Sequence, residues 1–165
     1  MNRKGFTLVE IMIVVAIIAL LAAIAIPNLL RARVNANESA ALATVKTYLT
    51  ALQSYAGANP NLGYPANINV LATATPPYVE TALAGANVNN QRQGYFYNYY
   101  RTTVSGGVGT QFYVTGRPLT LNVTGNRSFY GDESGVVCFI AGQIAAPGHA
   151  AAGTSCPGGW TALTQ

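Results

Sequence analysis

His149, the pair Asp132–Glu133, the cysteines Cys138 and Cys156, and Glu10 are the side chains of this chain whose types and surroundings could do chemistry. His149 is the single histidine and stands in Pro147-Gly148-His149-Ala150-Ala151-Ala152-Gly153, the composition of a mobile loop. A Cys–His or Ser–His–Asp arrangement needs an imidazole held rigidly by a third group, which such a loop does not promise. Asp132 and Glu133 are adjacent, so on a strand they would face opposite sides. Before Ser134-Gly135 they read as hairpin-turn residues, with acid–base or calcium chemistry as the sharper alternative. The chain has neither a G-x-x-x-x-G-K-[ST] phosphate loop nor an H-E-x-x-H zinc motif. No catalytic set, cofactor or metal is therefore expected, and the protein is read as not an enzyme.

Cys138 and Cys156 lack the C-x2-C spacing of a zinc or redox site. In an exported chain such a pair is most simply a disulfide, which would stabilise the fold by roughly 3 kcal/mol in the chain-entropy model. Two buried free thiols are the alternative.

Glu10 is unusual for its neighbours. From Phe6 to Ile26 the chain reads FTLVEIMIVVAIIALLAAIAI, with only Thr7 and Glu10 polar. At about 1.5 Å per residue this run spans about 32 Å of helix, enough for a hydrocarbon core of ~30 Å. A helix apolar all round cannot be hidden by a domain of this size, so it belongs in a bilayer. Composition agrees: half of the 165 residues are hydrophobic and 8% are charged, against a typical ~25%. No other charge lies between Phe6 and Ile26, so a partner for the Glu10 carboxylate is expected from another molecule. The competing reading is a carboxylate near the helix end that reaches the membrane interface. Arg3 and Lys4 precede the run while Arg31 and Arg33 follow it, so the charges orient the helix only weakly. The cysteine pair places the C-terminal part outside the cytoplasm. Ala23-Ile24-Ala25 also fits the A-x-A site of a secretory signal, but the apolar run is too long for one. The net charge of +4 comes from scattered residues without a basic patch, so no specific nucleic acid is expected as a partner.

Beyond Pro27 apolar residues recur at Leu30, Val34, Ala41, Val45, Tyr48, Leu52 and Tyr55, the stripe of an amphipathic helix that stops near Gly57–Pro60. One helix from Phe6 to about Ala58 is expected, with a kink at Pro27 between its two halves. Residues 59–93, rich in Asn, Pro, Ala and Gly, read as a loop. Four strands are expected after it: Tyr95–Tyr100, Phe112–Val114, the alternating Leu119–Val123, and Val136–Ile140. Ser105-Gly106-Gly107, Thr124-Gly125-Asn126 and Asp132–Gly135 mark the turns. The expected fold is α+β: a long N-terminal helix, half membrane and half amphipathic, packed on a four-stranded antiparallel sheet.

Arg3-Lys4-Gly5-Phe6-Thr7-Leu8-Val9-Glu10, continuing as Ile11 to Ala16 and through Ala25-Ile26-Pro27-Asn28, resembles the processing motif of type IV pilins and pseudopilins. The resemblance is close over residues 3 to about 33 and one of layout beyond. It implies a leader, residues 1–5, cut between Gly5 and Phe6 by prepilin peptidase, with N-methylation of Phe6. It further implies a polymerisation helix over 6–27, an amphipathic half over 28–58, an αβ-loop over 59–93, a sheet over 94–140 and a disulfide-bounded region over 141–165. Glu10 would act in assembly, meeting the new terminal amine of a neighbouring subunit. The implied partners are further copies of the chain in a helical homopolymer, the inner membrane, and an assembly machine with a cytoplasmic ATPase. The implied location is the inner membrane and then an extracellular pilus serving adhesion, twitching motility or DNA uptake. A type II secretion pseudopilin shares the motif and is the runner-up, followed by a membrane-tethered binding domain.

Overall fold

A computed structural model describes residues 5–81, 83, 90–144, 147–150 and 155–163, with the backbone alone at 90 and 103–105. All but Gly5 of the expected leader lies outside the described residues. The chain divides into two compact units, Met1–Arg33 and Val34–Gln165, and helix α1 (Leu8–Ala58) contributes to both.

Within the first unit the helix carries its apolar side chains outward all round: Leu8, Ile18, Leu20 and Ile26 are each more than half exposed. None of the described residues of this unit covers them, as expected of a segment whose solvent is lipid or other apolar helices. Pro27 lies inside α1, which the backbone continues on both sides.

The second unit has a core. From Val34 onward α1 buries a stripe through Glu38, Ala41, Val45, Tyr48, Leu52 and Tyr55, with steps of three and four residues. Leu30, expected to begin this stripe, is exposed and belongs to the first unit. After Ala58 the Asn59 side-chain amide bonds the Tyr55 carbonyl at 2.9 Å, satisfying one of the orphan acceptors at the helix end.

Among the described residues the sheet has six strands where four were expected, all antiparallel and in chain order: β1 (Asn90–Arg92), β2 (Tyr95–Ser105), β3 (Val108–Pro118), β4 (Arg127–Asp132), β5 (Val137–Ala141) and β6 (Thr161–Ala162). Two of the additions are short edges, too brief to leave a periodic signal. Residues 59–93 also contain a helical turn, α2 (Asn69–Thr73), besides β1.

The third expected strand is wrong. Leu119–Val123 alternates in sequence, yet Leu119, Leu121 and Val123 are exposed and Asn122 has a positive φ of 63°. An extended ladder cannot pass through that left-handed residue. The Thr124 hydroxyl and the Thr120 backbone close the segment into a turn. The strand that takes its place is β4, which lies between the expected turns at 124–126 and 132–135. Its alternation is filled on both faces. Phe129 packs with the helix-side core, where a Cβ on Gly131 would lie 2.7 Å from Leu49 Cδ1. Ser128, Tyr130 and Asp132 are buried too. Tyr130 forms a second cluster with Tyr113, Cys138, Ala150 and Trp160, so the C-terminal segment is a third layer on the sheet.

Candidate functional site

Glu10 closes the first turn of α1. Its Oε2 accepts the Thr7 N–H at 2.8 Å and the Thr7 hydroxyl at 2.7 Å, while the Glu10 N–H donates to Thr7 Oγ1 at 3.2 Å. This is a capping box: two donors left over at a helix start are satisfied reciprocally. The carboxylate thus has a partner in its own chain, where one from another molecule was expected. The signal was present in the sequence as Thr7-x-x-Glu10 before an apolar run, and attention to charge alone passed over it. Among the described residues these bonds all fall on Oε2, and Oε1 carries none. Gly5 and Phe6 precede the helix, exposed.

Cys138 and Cys156 form a disulfide with their Cα atoms 5.9 Å apart. Cys138 comes from β5 and is fully buried.

His149 is not in a loose loop. Its Nδ1 lies 2.8 Å from the Ala150 carbonyl and its Nε2 lies 2.8 Å from Glu133 Oε2. Asp132, Glu133 and His149 bring ligand-type atoms within 4.8 Å of one another. The geometry is nevertheless that of an ion pair. Glu133 Oε2 lies 2.8 Å from His149 Nε2, and the two Asp132 oxygens already accept from Tyr130 and from Ser134. The expected turn role of Asp132 is present in its bonds to the Ser134 N–H and hydroxyl. Glu133 also accepts the Phe112 N–H at 3.3 Å and so ties that turn to β3.

Sequence reasoning passed over Glu38. This carboxylate is 4% exposed, accepts the Asn126 N–H at 2.7 Å and pairs with Arg127 Nε at 2.6 Å. The Arg127 guanidinium lies over the Phe129 and Phe139 rings at 5.9 and 5.5 Å. Together with Asn37, which donates to the Thr124 carbonyl at 3.0 Å, it fastens the 119–126 turn to α1. Nothing in the sequence spacing joins residues so far apart.

Tyr95, Tyr97 and Tyr99 of β2 pack on the helix side, whereas Tyr100 stacks on Tyr113 at 4.7 Å in the second cluster. Tyr95 and Tyr97 are buried, and the Tyr95 and Tyr99 hydroxyls donate to the Arg127 and Pro65 carbonyls.

A helix whose apolar side chains lie uncovered among the described residues, joined to a disulfide-closed α+β unit, fits a membrane-anchored subunit. Residues 1–26 match the family model described as a prokaryotic N-terminal methylation motif. The type IV wide pilus major component PilA4 of Thermus thermophilus is 39% identical over 93 residues, covering 54% of this chain and 70% of that protein. The type IV major pilin PilA of Myxococcus xanthus is 50% identical over 54 residues, 33% of this chain and 24% of that protein. No solved structure gives a significant match. The chain belongs to the type IV pilins. It is a structural subunit of a pilus, held in the inner membrane by its N-terminal helix before it joins the extracellular filament.

Proposed function

We propose that the chain is cut between Gly5 and Phe6 by prepilin peptidase, that Phe6 is then N-methylated, and that Glu10 guides each subunit into a helical homopolymer. The single observation that carries this reading is the state of Glu10. It is the one ionisable group in the apolar run, its Oε2 is held by Thr7, and its Oε1 faces no donor among the described residues. Cleavage after Gly5 leaves Thr7 and the capping box in place. The carboxylate can then wait in its own helix and accept the amine of a neighbouring Phe6 on Oε1, an attraction strengthened where the dielectric is low. The expected division of labour follows: 1–5 a leader, 6–27 for membrane and polymerisation, 28–58 for docking on the sheet, 59–93 a connecting region, 94–140 the sheet, and 141–165 closed by Cys138–Cys156. Pro27 removes the backbone bond that would reach the Ala23 carbonyl, so the helix can bend between lipid and head. Extrusion is assigned to a membrane machine driven by a cytoplasmic ATPase. The pilins named above favour a pilus subunit over a secretion pseudopilin, which shares the N-terminal motif. No catalytic role is assigned, since the relatives are structural proteins.

The test is membrane and shear fractionation of strains carrying Glu10→Ala or Glu10→Gln. Both should accumulate normal amounts of subunit in the membrane and yield few or no filaments. Normal filament yield from both would remove the pairing role of Glu10 and leave it as a helix cap alone.

A further inference from the structure

His149 is bracketed by two oxygens that can only accept. The Ala150 carbonyl stands 2.8 Å from Nδ1, and Glu133 Oε2 stands 2.8 Å from Nε2 while also accepting the Phe112 N–H. A neutral imidazole has one N–H and one lone pair, so it can satisfy one side and must turn a lone pair against an oxygen on the other. The geometry therefore asks for the doubly protonated ring, or for one further proton shared with Glu133. The bonds reach beyond the pair. Ala150 N–H donates to the Tyr130 hydroxyl at 2.9 Å, and that hydroxyl donates to Asp132 Oδ2 at 3.0 Å. Segment 147–150 is thus fastened to β4 and its turn through one histidine and its neighbour.

We propose that His149 is a pH-operated clasp. Protonated, it binds segment 147–150 to the turn after β4. When it loses a proton that segment lifts from the sheet, while the Cys138–Cys156 disulfide keeps the C-terminal region tethered. The opening is local because the Cys138–Cys156 disulfide and the packing of Tyr113, Tyr130, Cys138 and Trp160 do not run through His149, and of that cluster only Ala150 leaves with the segment.

The charged and titratable groups that face the ring among the described residues are Glu133 and Asp132 from the turn and β4, Tyr130 from β4, and Tyr113 from β3, whose ring centroid is 6.4 Å away. Burial works against the imidazolium, but the hydrogen bonds to Glu133 and Ala150 and the charges of Glu133 and Asp132 outweigh it and hold the pKa above the ordinary value. With a folded value raised above the unfolded one, the clasp is fully closed below about pH 6.5 and is lost as pH rises through the folded value.

The chain has one histidine and one tryptophan, so both reporters are unambiguous. Trp160 packs 5.9 Å from the Tyr130 ring at the edge of the same cluster. The experiment follows the His149 ring resonances, Ala150 amide exchange and Trp160 emission against pH for the full chain in detergent micelles. His149 should titrate above an unstructured histidine, and Ala150 protection, corrected for intrinsic exchange, should fall with the same midpoint. Glu133→Gln keeps an acceptor for Phe112 and should shift the midpoint down. His149→Gln should make Ala150 protection and Trp160 emission flat across this range. A midpoint at or below the unstructured value overturns the clasp, as does a midpoint that Glu133→Gln leaves in place. Protection at Ala150 that ignores the titration overturns it equally, and that result is readable in the unmodified chain even where a variant fails to fold.

Discussion

The Glu38–Arg127 pair makes an asymmetric prediction, because its two halves differ so much in exposure. The Glu38 side chain is 5% exposed and that of Arg127 41%. Glu38→Ala removes an ion pair and the acceptor of the Asn126 N–H. Hydrogen bonds to charged groups contribute about 1.5–3 kcal/mol each, but Arg127 and the Asn126 amide can both rehydrate. The expected loss is about 2–3 kcal/mol. Arg127→Ala instead strands a carboxylate under the 119–126 turn with, among the described residues, only the Asn126 N–H for a partner. Breaking a buried pair from that side typically costs about 3–5 kcal/mol. The cationic residue, though the more exposed, should therefore be the more damaging one to remove. Replacing both residues by methionine should recover most of the loss, since no uncompensated charge remains. Thermal unfolding of the full chain in detergent, read by near-ultraviolet circular dichroism, measures all three. At this size about 2–3 kcal/mol corresponds to a Tm drop of roughly 4–12 °C. If Arg127→Ala is milder than Glu38→Ala, or if both lie within about 0.5 kcal/mol of the parent, the reasoning from burial fails.

Two further outcomes are expected. Intact-mass spectrometry of the protein from its host should show the loss of Met1–Gly5 and the gain of one methyl group, whereas a chain starting at Ile26 would restore the secretory-signal reading. Alkaline titration should leave the core phenols protonated until the head unfolds, because burial pushes Tyr97 up to about 12 and raises Tyr95, Tyr99 and Tyr130 as well. Unfolded tyrosines release protons near pH ~10, so the unfolded state binds fewer protons there and stability falls as pH climbs past that value. A cooperative rise in tyrosinate absorbance should coincide with loss of circular dichroism, and a smooth rise in an intact fold would contradict it.

The parts of this protein that are legible in its sequence are those in which neighbours along the chain are neighbours in space. The apolar run of the N-terminal helix is such a part, and so is the stripe from Val34 to Tyr55, because a helix maps spacing directly onto a face. The glycine and serine turn at 105–107 and the aromatic start of β2 are others. The processing motif belongs with them, since a peptidase reads consecutive residues. The T-x-x-E cap is equally local, four consecutive residues closing one helical turn. What tertiary structure alone decided is pairing over distance. Leu119–Val123 alternates like a strand but joins no strand of the sheet, while Arg127–Asp132, with Phe129 and Tyr130 as its strand formers, is recruited because β3 and β5 flank it and Leu49 fits against Gly131. Glu38 finds Arg127, and His149 finds Glu133, through folded geometry that no spacing encodes. A strand or an ion pair is stable only against what lies opposite, and what lies opposite is settled when the whole unit packs.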